Sequence, residues 1–128
     1  AGFINGASNG QDIAVRGDGT ALYTASGAPY QCSRVNPSNL AFIGSLPGGD
    51  PYPNNVEVTT DGRAVCGSNS ISASDFWVHS SAGVLLASYK VAAGQLKRSQ
   101  MVVTPDGLIV AAQTTDPVLG FVAIGGPP

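Results

Sequence analysis

The stretch "VTPDGLIVAA", residues 103–112, consists of two short apolar runs around Asp106-Gly107. Asp-Gly between strand-like runs signals a hairpin. Glycine takes positive φ at little steric cost, and the aspartate side chain can bond the turn backbone. The pattern occurs twice earlier: "DIAVRGDGTALYTAS" from Asp12 and "NVEVTTDGRAVCGSN" from Asn55 match "QMVVTPDGLIVAAQT" from Gln100. The Asp-Gly pairs begin at Asp18, Asp61 and Asp106, spacings of 43 and 45 residues. Self-similarity at such a period is the mark of a repeat architecture.

Apolar residues line up across the copies: Ile13, Val56 and Met101; Val15, Val58 and Val103; Leu22, Val65 and Val110. Cys66 falls in the column of Tyr23 and Ala111 and reads as a packing position. The second half of each unit repeats more weakly. "YQCSRV" runs through "NPSN" into "LAFIGSL", and "DFWVHS" through "SAG" into "VLLASYKV", with Cys32, Phe76 and Phe121 aligned. Each unit thus holds four antiparallel strands, a to d, as in a propeller blade.

The expected fold is all-β. Residues 12–54 form blade 1, residues 55–99 blade 2, and residues 100–128 strands a to c of blade 3 (Met101–Val103, Leu108–Ala112, Leu119–Ile124). Residues 1–11 form a closing outer strand and loop. Phe3-Ile4 resemble Phe42-Ile43, and "IGGPP-AGFI", read from the last residues on to the first, aligns without a gap to "VNPSN-LAFI". Three blades would each have to turn through about 120°, whereas propellers typically have four to eight blades. The expectation is therefore a homodimer: a six-bladed ring with twofold symmetry, in which the N-terminal strand of each chain completes the third blade of the other.

Composition agrees with this. At 128 residues and 12.9 kDa the chain is one domain of ordinary size. Charged residues make up 11%, with 17 Gly and 9 Pro, a mixture for short strands and tight turns rather than a helix bundle. Net charge is −2, and the densest basic stretch is "KRS" at 97–99. Nucleic acid is therefore not an expected partner. No apolar run approaches the roughly 18 residues of a membrane span, and no signal-peptide pattern is visible. Cys32 and Cys66 fit no metal motif and read as small buried hydrophobes in preference to a disulfide.

"DIAVRGDGTALYTAS" followed by "VNPSNLAFIGSLPGG", and most closely "VTPDGLIVAA", resembles the YVTN/NHL-type propeller repeat across all three units. The resemblance implies blade architecture. Its relatives by fold include sugar-acid lactonases, antibiotic lyases, adhesion repeats and protein-interaction modules, so fold alone does not choose a function. It also implies that strand a lines a central channel and that the d-to-a and b-to-c loops share one face.

On that arrangement Asp12, Asn55 and Gln100 open strand a at equivalent positions, with Glu57 and Arg98 nearby in sequence. These are the ligand-binding candidates at the channel mouth. The same groups could instead bond each other, backbone or water. Tyr52, on the proline-stiffened loop "GSLPGGDPYPNN" (44–55), and Asp75, ending the Ser-rich "GSNSISASD" (67–75), are candidates on the loop rim. "KVAAGQLKRSQ" (90–100) reads as a solvated loop or a dimer contact, and His79 as an edge residue near solvent. "RGD" at 16–18 belongs to the first hairpin turn.

No nucleophile–base arrangement, metal motif or phosphate loop is identifiable. The expected function is a non-enzymatic binding or structural module, in an extracellular or virion setting, recognising a small molecule or protein at the loop face. No cofactor is implied. The alternative is a lyase or lactonase at the channel mouth using a divalent cation held by Asp12, Glu57 and Asn55.

Overall fold

A computed structural model describes residues 9–26, 30–48, 52–69, 74–90, 95–115 and 119–125. The described residues form three antiparallel sheets and contain no helix. Sheet 1 takes β1 (Gly10–Val15), β2 (Leu22–Ser26), β3 (Gln31–Val35) and β4 (Phe42–Ser45), in that order. Sheet 2 takes β5 (Pro53–Val58), β6 (Ala64–Ser68), β7 (Phe76–His79) and β8 (Leu85–Tyr89). Sheet 3 takes β9 (Leu96–Val103), β10 (Ile109–Thr114) and β11 (Leu119–Ala123). The first strands β1, β5 and β9 are innermost and touch one another. The arrangement is propeller-like, and the described residues show no closed ring. The proposed fourth strand of sheet 3, residues 1–6, lies outside the described residues.

Each hairpin turn carries the aspartate and the positive-φ glycine that the repeat predicts. Gly19, Gly62 and Gly107 have φ of 73°, 91° and 72°, where a side chain would be strained. The turn aspartates accept from nearby groups: Asp18 from Thr20 N–H, Asp106 from Leu108 N–H, and Asp61 from the Thr59 hydroxyl. Arg16 of the "RGD" stretch reaches across to Thr60 O at 2.8 Å.

The middle hairpin departs from its neighbours by one residue. In sheets 1 and 3 the closing bonds run from Arg16 N to Ala21 O and from Thr104 N to Ile109 O, enclosing residues 17–20 and 105–108. In sheet 2 the bond runs from Thr59 N to Arg63 O and encloses only residues 60–62. The Arg63 N–H also donates to Thr59 Oγ1 at 2.9 Å. The pairing therefore differs: Val15 opposes Leu22 and Val103 opposes Val110, but Val58 opposes Ala64. Because strand side chains alternate between faces, a one-residue slip turns a whole strand over. Leu22 and Val110 lie on the faces turned back along the chain order, and Val65 lies on the face turned toward sheet 3.

Several expected columns are corrected, the first of them by this slip. Cys66 does not share the face of Tyr23 and Ala111; it is turned toward sheet 1. Cys32, Phe76 and Phe121 are not equivalent either, since they oppose Ala25, Gly67 and Ala111. The residues matched across the sheets are Arg34, Trp77 and Phe121, opposite Tyr23, Cys66 and Ala111. The cysteines, expected as separate packing positions, are joined: Cys32 on β3 and Cys66 on β6 form a disulfide with Cα atoms 6.5 Å apart.

Two apolar clusters fill the seams. Ala14, Tyr23, Ala25 and Cys32 of sheet 1 meet Val56, Ala64 and Cys66 of sheet 2. Val65, Phe76 and Val78 on the other face of sheet 2 meet Leu96, Met101, Val110, Ala112 and Ile124. The second seam is close enough to require Gly67, where an added Cβ would sit 2.8 Å from Leu96 Cδ1 and 3.2 Å from Met101 Sδ. Leu96 also explains why residues 96–100, expected in a loop, are strand: its side chain is 1% exposed and anchors the start of β9.

Candidate functional site

The channel-mouth candidates lie at the end of the inner strands remote from the Asp-Gly turns. There they act first as links between sheets. Asp12 on β1 accepts from its neighbour Ile13 N–H through Oδ1 at 3.0 Å, and from Val56 N–H of sheet 2 through Oδ2 at 3.0 Å. Asn55 on β5 repeats the move one sheet on. Its Oδ1 accepts from Gln100 N–H at 2.9 Å, and its Nδ2 donates to Lys97 O at 3.0 Å and to Asn54 Oδ1. Asn54 adds a bond to Leu96 O at 2.8 Å. The repeat thus places a short polar side chain where it can satisfy backbone groups of the next inner strand.

Gln100, third in the series, is exposed on the last sheet. Arg98 is exposed beside it. Glu57 is half-buried, and burial pushes its carboxyl above the usual range, helped by the charge of Asp12. The structure therefore brings Asp12, Glu57, Asn55 and Gln100 to one region, with Asp12 and Asn55 engaged in the seams. β1 and β9 also meet there, Ser99 Oγ donating to Gln11 O at 3.0 Å. Among the described residues no three of His, Cys, Asp and Glu gather closely enough to hold a metal ion.

The two rim candidates separate. Asp75 is fully buried and its Oδ1 is 2.8 Å from Lys90 Nζ. Tyr52 is 49% exposed and lies against Tyr30, ring centroids 4.7 Å apart in an edge-to-face arrangement. His79, expected near solvent, is 1% exposed. Its position on the sheet-2 face turned toward sheet 1 puts it under Pro47, and Nε2 donates to Pro47 O at 2.7 Å. Nδ1 is buried with no hydrogen-bond partner among the described residues. Burial holds the ring below the usual histidine pKa, against the opposing effect of the Pro47 bond.

Sequence reasoning missed Arg63, which is 3% exposed and fastens sheet 2 to sheet 3 at the turn end. Its Nη2 donates to Gly107 O and its Nη1 to Gly125 O, both at 2.8 Å, while Asp61 Oδ2 lies 3.0 Å from Nη2. The available signal was an arginine in the turn column that the other copies fill with Thr20 and Leu108. Burial of Asp61 pushes its carboxyl up, but bonds from Arg63 and Thr59 outweigh this and hold it below the usual range.

No family model and no curated protein matches the chain. Among solved structures it is similar to a chain of Kuenenia stuttgartiensis hydrazine synthase, with a TM-score of 0.75 at 18% identity. The match covers 90% of this chain and 34% of that one, so the chain spans about a third of the length of its structural neighbour. The likeness is one of fold.

Proposed function

We propose that this chain is a non-enzymatic propeller module that works as a pair. Two copies stand head to tail to make six blades, and the loop-bearing face recognises a ligand or partner. The observation that carries this reading is the contrast between the covered and uncovered sheet faces. Sheet 2 is covered on both sides by sheets of the same repeat. The forward face of sheet 3 instead exposes Val102, Leu119 and Phe121, at 61%, 68% and 70%. The backward face of sheet 1 exposes Ile13 and Val15, both at 57%. These faces are counterparts of the two sides of a filled seam, so a second copy supplies the complementary cover at each end. Head-to-tail contacts close when the rotation per chain is 180°, giving C2.

Within the pair, Gln100 would meet the inner strand of the neighbouring copy, as Asp12 and Asn55 meet theirs. Phe3-Ile4 of one copy would run beside β11 of the other. A ring of six also requires β1 and β9 of one chain to stand apart, exchanging the Ser99–Gln11 bond for contacts between copies. The enzymatic alternative needs Asp12, Glu57 and Asn55 to converge on a cation, and two of these are engaged in holding backbone. A disulfide persists in oxidising compartments, which suits the extracellular or virion setting.

Light scattering tests the assembly. The expected mass is twice the 12.9 kDa of one chain, with Phe121→Asp returning it to the single-chain value. A wild-type single-chain mass at micromolar concentration overturns the paired reading.

A further inference from the structure

A cleft of about 240 Å³ opens at the seam of sheets 1 and 2, on the end remote from the Asp-Gly turns. Tyr30, Tyr52, Pro53 and Asn54 line it, and Asn9, Gln11 and Asn69 carry amides around it, the buried Asn54 amide being engaged with Leu96 O and Asn55. Among the described residues no charged side chain lines it. The two rings meet edge to face with an interplanar angle of 66°, and both are about half exposed. Gln11 Nε2 donates to Asn9 Oδ1 at 2.9 Å, which orients that amide pair at the rim.

Tyr52 breaks a local rule. Its φ is +66°, a left-handed conformation that disfavours every side chain of its size. The backbone is held there by two bonds to its carbonyl, from Asn69 N at 3.2 Å and Ser68 Oγ at 3.3 Å. Glycine would adopt this conformation without strain. A tyrosine at such a position, half exposed and set edge to face against Tyr30, points to a role other than stability.

We propose that this cleft binds a neutral carbohydrate. Exposed tyrosine rings offer flat apolar surfaces for the C–H face of a sugar, and amides both donate to and accept from hydroxyls. The lining formed by the described residues is uncharged and suits a neutral ligand. This inference rests on the reading of the loop-bearing face as a recognition face and names its ligand class.

The test is calorimetric titration with maltohexaose, cellohexaose, chitohexaose and mannohexaose, with oligogalacturonate as the anionic control. At least one neutral sugar should bind and the control should not. Tyr30→Ala and Tyr52→Gly should each weaken binding by about tenfold or more, a loss of about 1.4 kcal/mol. Tyr52→Gly should leave Tm unchanged or raised, because it relieves the backbone. Absence of binding by all four neutral sugars, equal binding of the control, or full affinity in Tyr52→Gly overturns the proposal. So does a lowered Tm in Tyr52→Gly, which would make the ring structural. Light scattering on the same samples keeps the two readings apart. A dimer that binds no sugar defeats only the carbohydrate site, and a monomer that binds one defeats only the assembly.

Discussion

The seam between sheets 1 and 2 and the seam between sheets 2 and 3 meet the same geometric demand with different materials. In the first, the middle is a covalent bond, Cys32 to Cys66, flanked by a part-exposed Asp12 that bonds one backbone N–H across the seam. In the second, no covalent bond crosses. Its place is taken by a fully buried Asn55 with three hydrogen bonds, by Gly67 allowing close approach, and by Arg63 fastening the turn end. The comparison teaches that the repeat fixes where backbone groups of the next strand need partners. It leaves each seam free to find its own side chains. The one-residue slip of the middle hairpin makes the difference, because it turns Cys66 to sheet 1 and Val65 to sheet 3.

The largest effect should come from cutting the covalent seam. Cys32→Ser with Cys66→Ser opens a link spanning 34 residues, and should lower unfolding free energy by about 3–4 kcal/mol. Chemical denaturation of wild type and double variant measures this. An unchanged midpoint would mean that apolar contact alone holds the first seam.

Arg63→Met comes next. It removes a buried cation and leaves Asp61 and the Gly107 and Gly125 carbonyls without it, at a loss of about 3 kcal/mol. Arg16→Met, in the same denaturation series, should lose well under 1 kcal/mol, because its contacts with Thr60 and Asp18 are exposed. Equal losses at the two arginines would erase the distinction between the seams.

The smallest effect is pH-dependent and belongs to the first seam. His79 titrates below its unfolded value, so the unfolded chain takes up the proton first. Stability is intact above the ordinary histidine pKa of about 6.5 and falls as pH drops through it toward the folded value. Glu57, raised by burial and Asp12, acts in the opposite sense: its contribution is intact below its unfolded value and declines as pH rises through its folded one. The difference between wild type and His79→Gln isolates the histidine. Parallel stability curves for the two proteins between pH 8 and pH 5 would remove His79 from the seam.

Much of the fold was legible in the sequence. The three Asp-Gly turns and the up-and-down order followed from local turn chemistry and from apolar alternation, both short-range properties. Much of what was not legible depended on a single residue of turn length. Sequence columns place Cys66 with Tyr23, and nothing local distinguishes a turn enclosing 60–62 from one enclosing 105–108; the choice accompanies Arg63 reaching into the next sheet. Facing was therefore wrong for β6 and β7, and with it the disulfide and the burial of His79. At the candidate site, the equivalence of Asp12, Asn55 and Gln100 was visible because the inner strands keep one register. Their role as links required the distance between sheets. The pairing of Tyr30 with Tyr52 joins loops more than twenty residues apart and left no periodic trace.

The central claim is that the middle hairpin turns Cys66 to face Cys32. Peptide mapping of the non-reduced protein, purified under oxidising conditions, tests it most directly. The prediction is a single linked peptide pair containing residues 32 and 66 of one chain, with no free thiol after denaturation. Two free thiols, or a cross-link between chains, would contradict it.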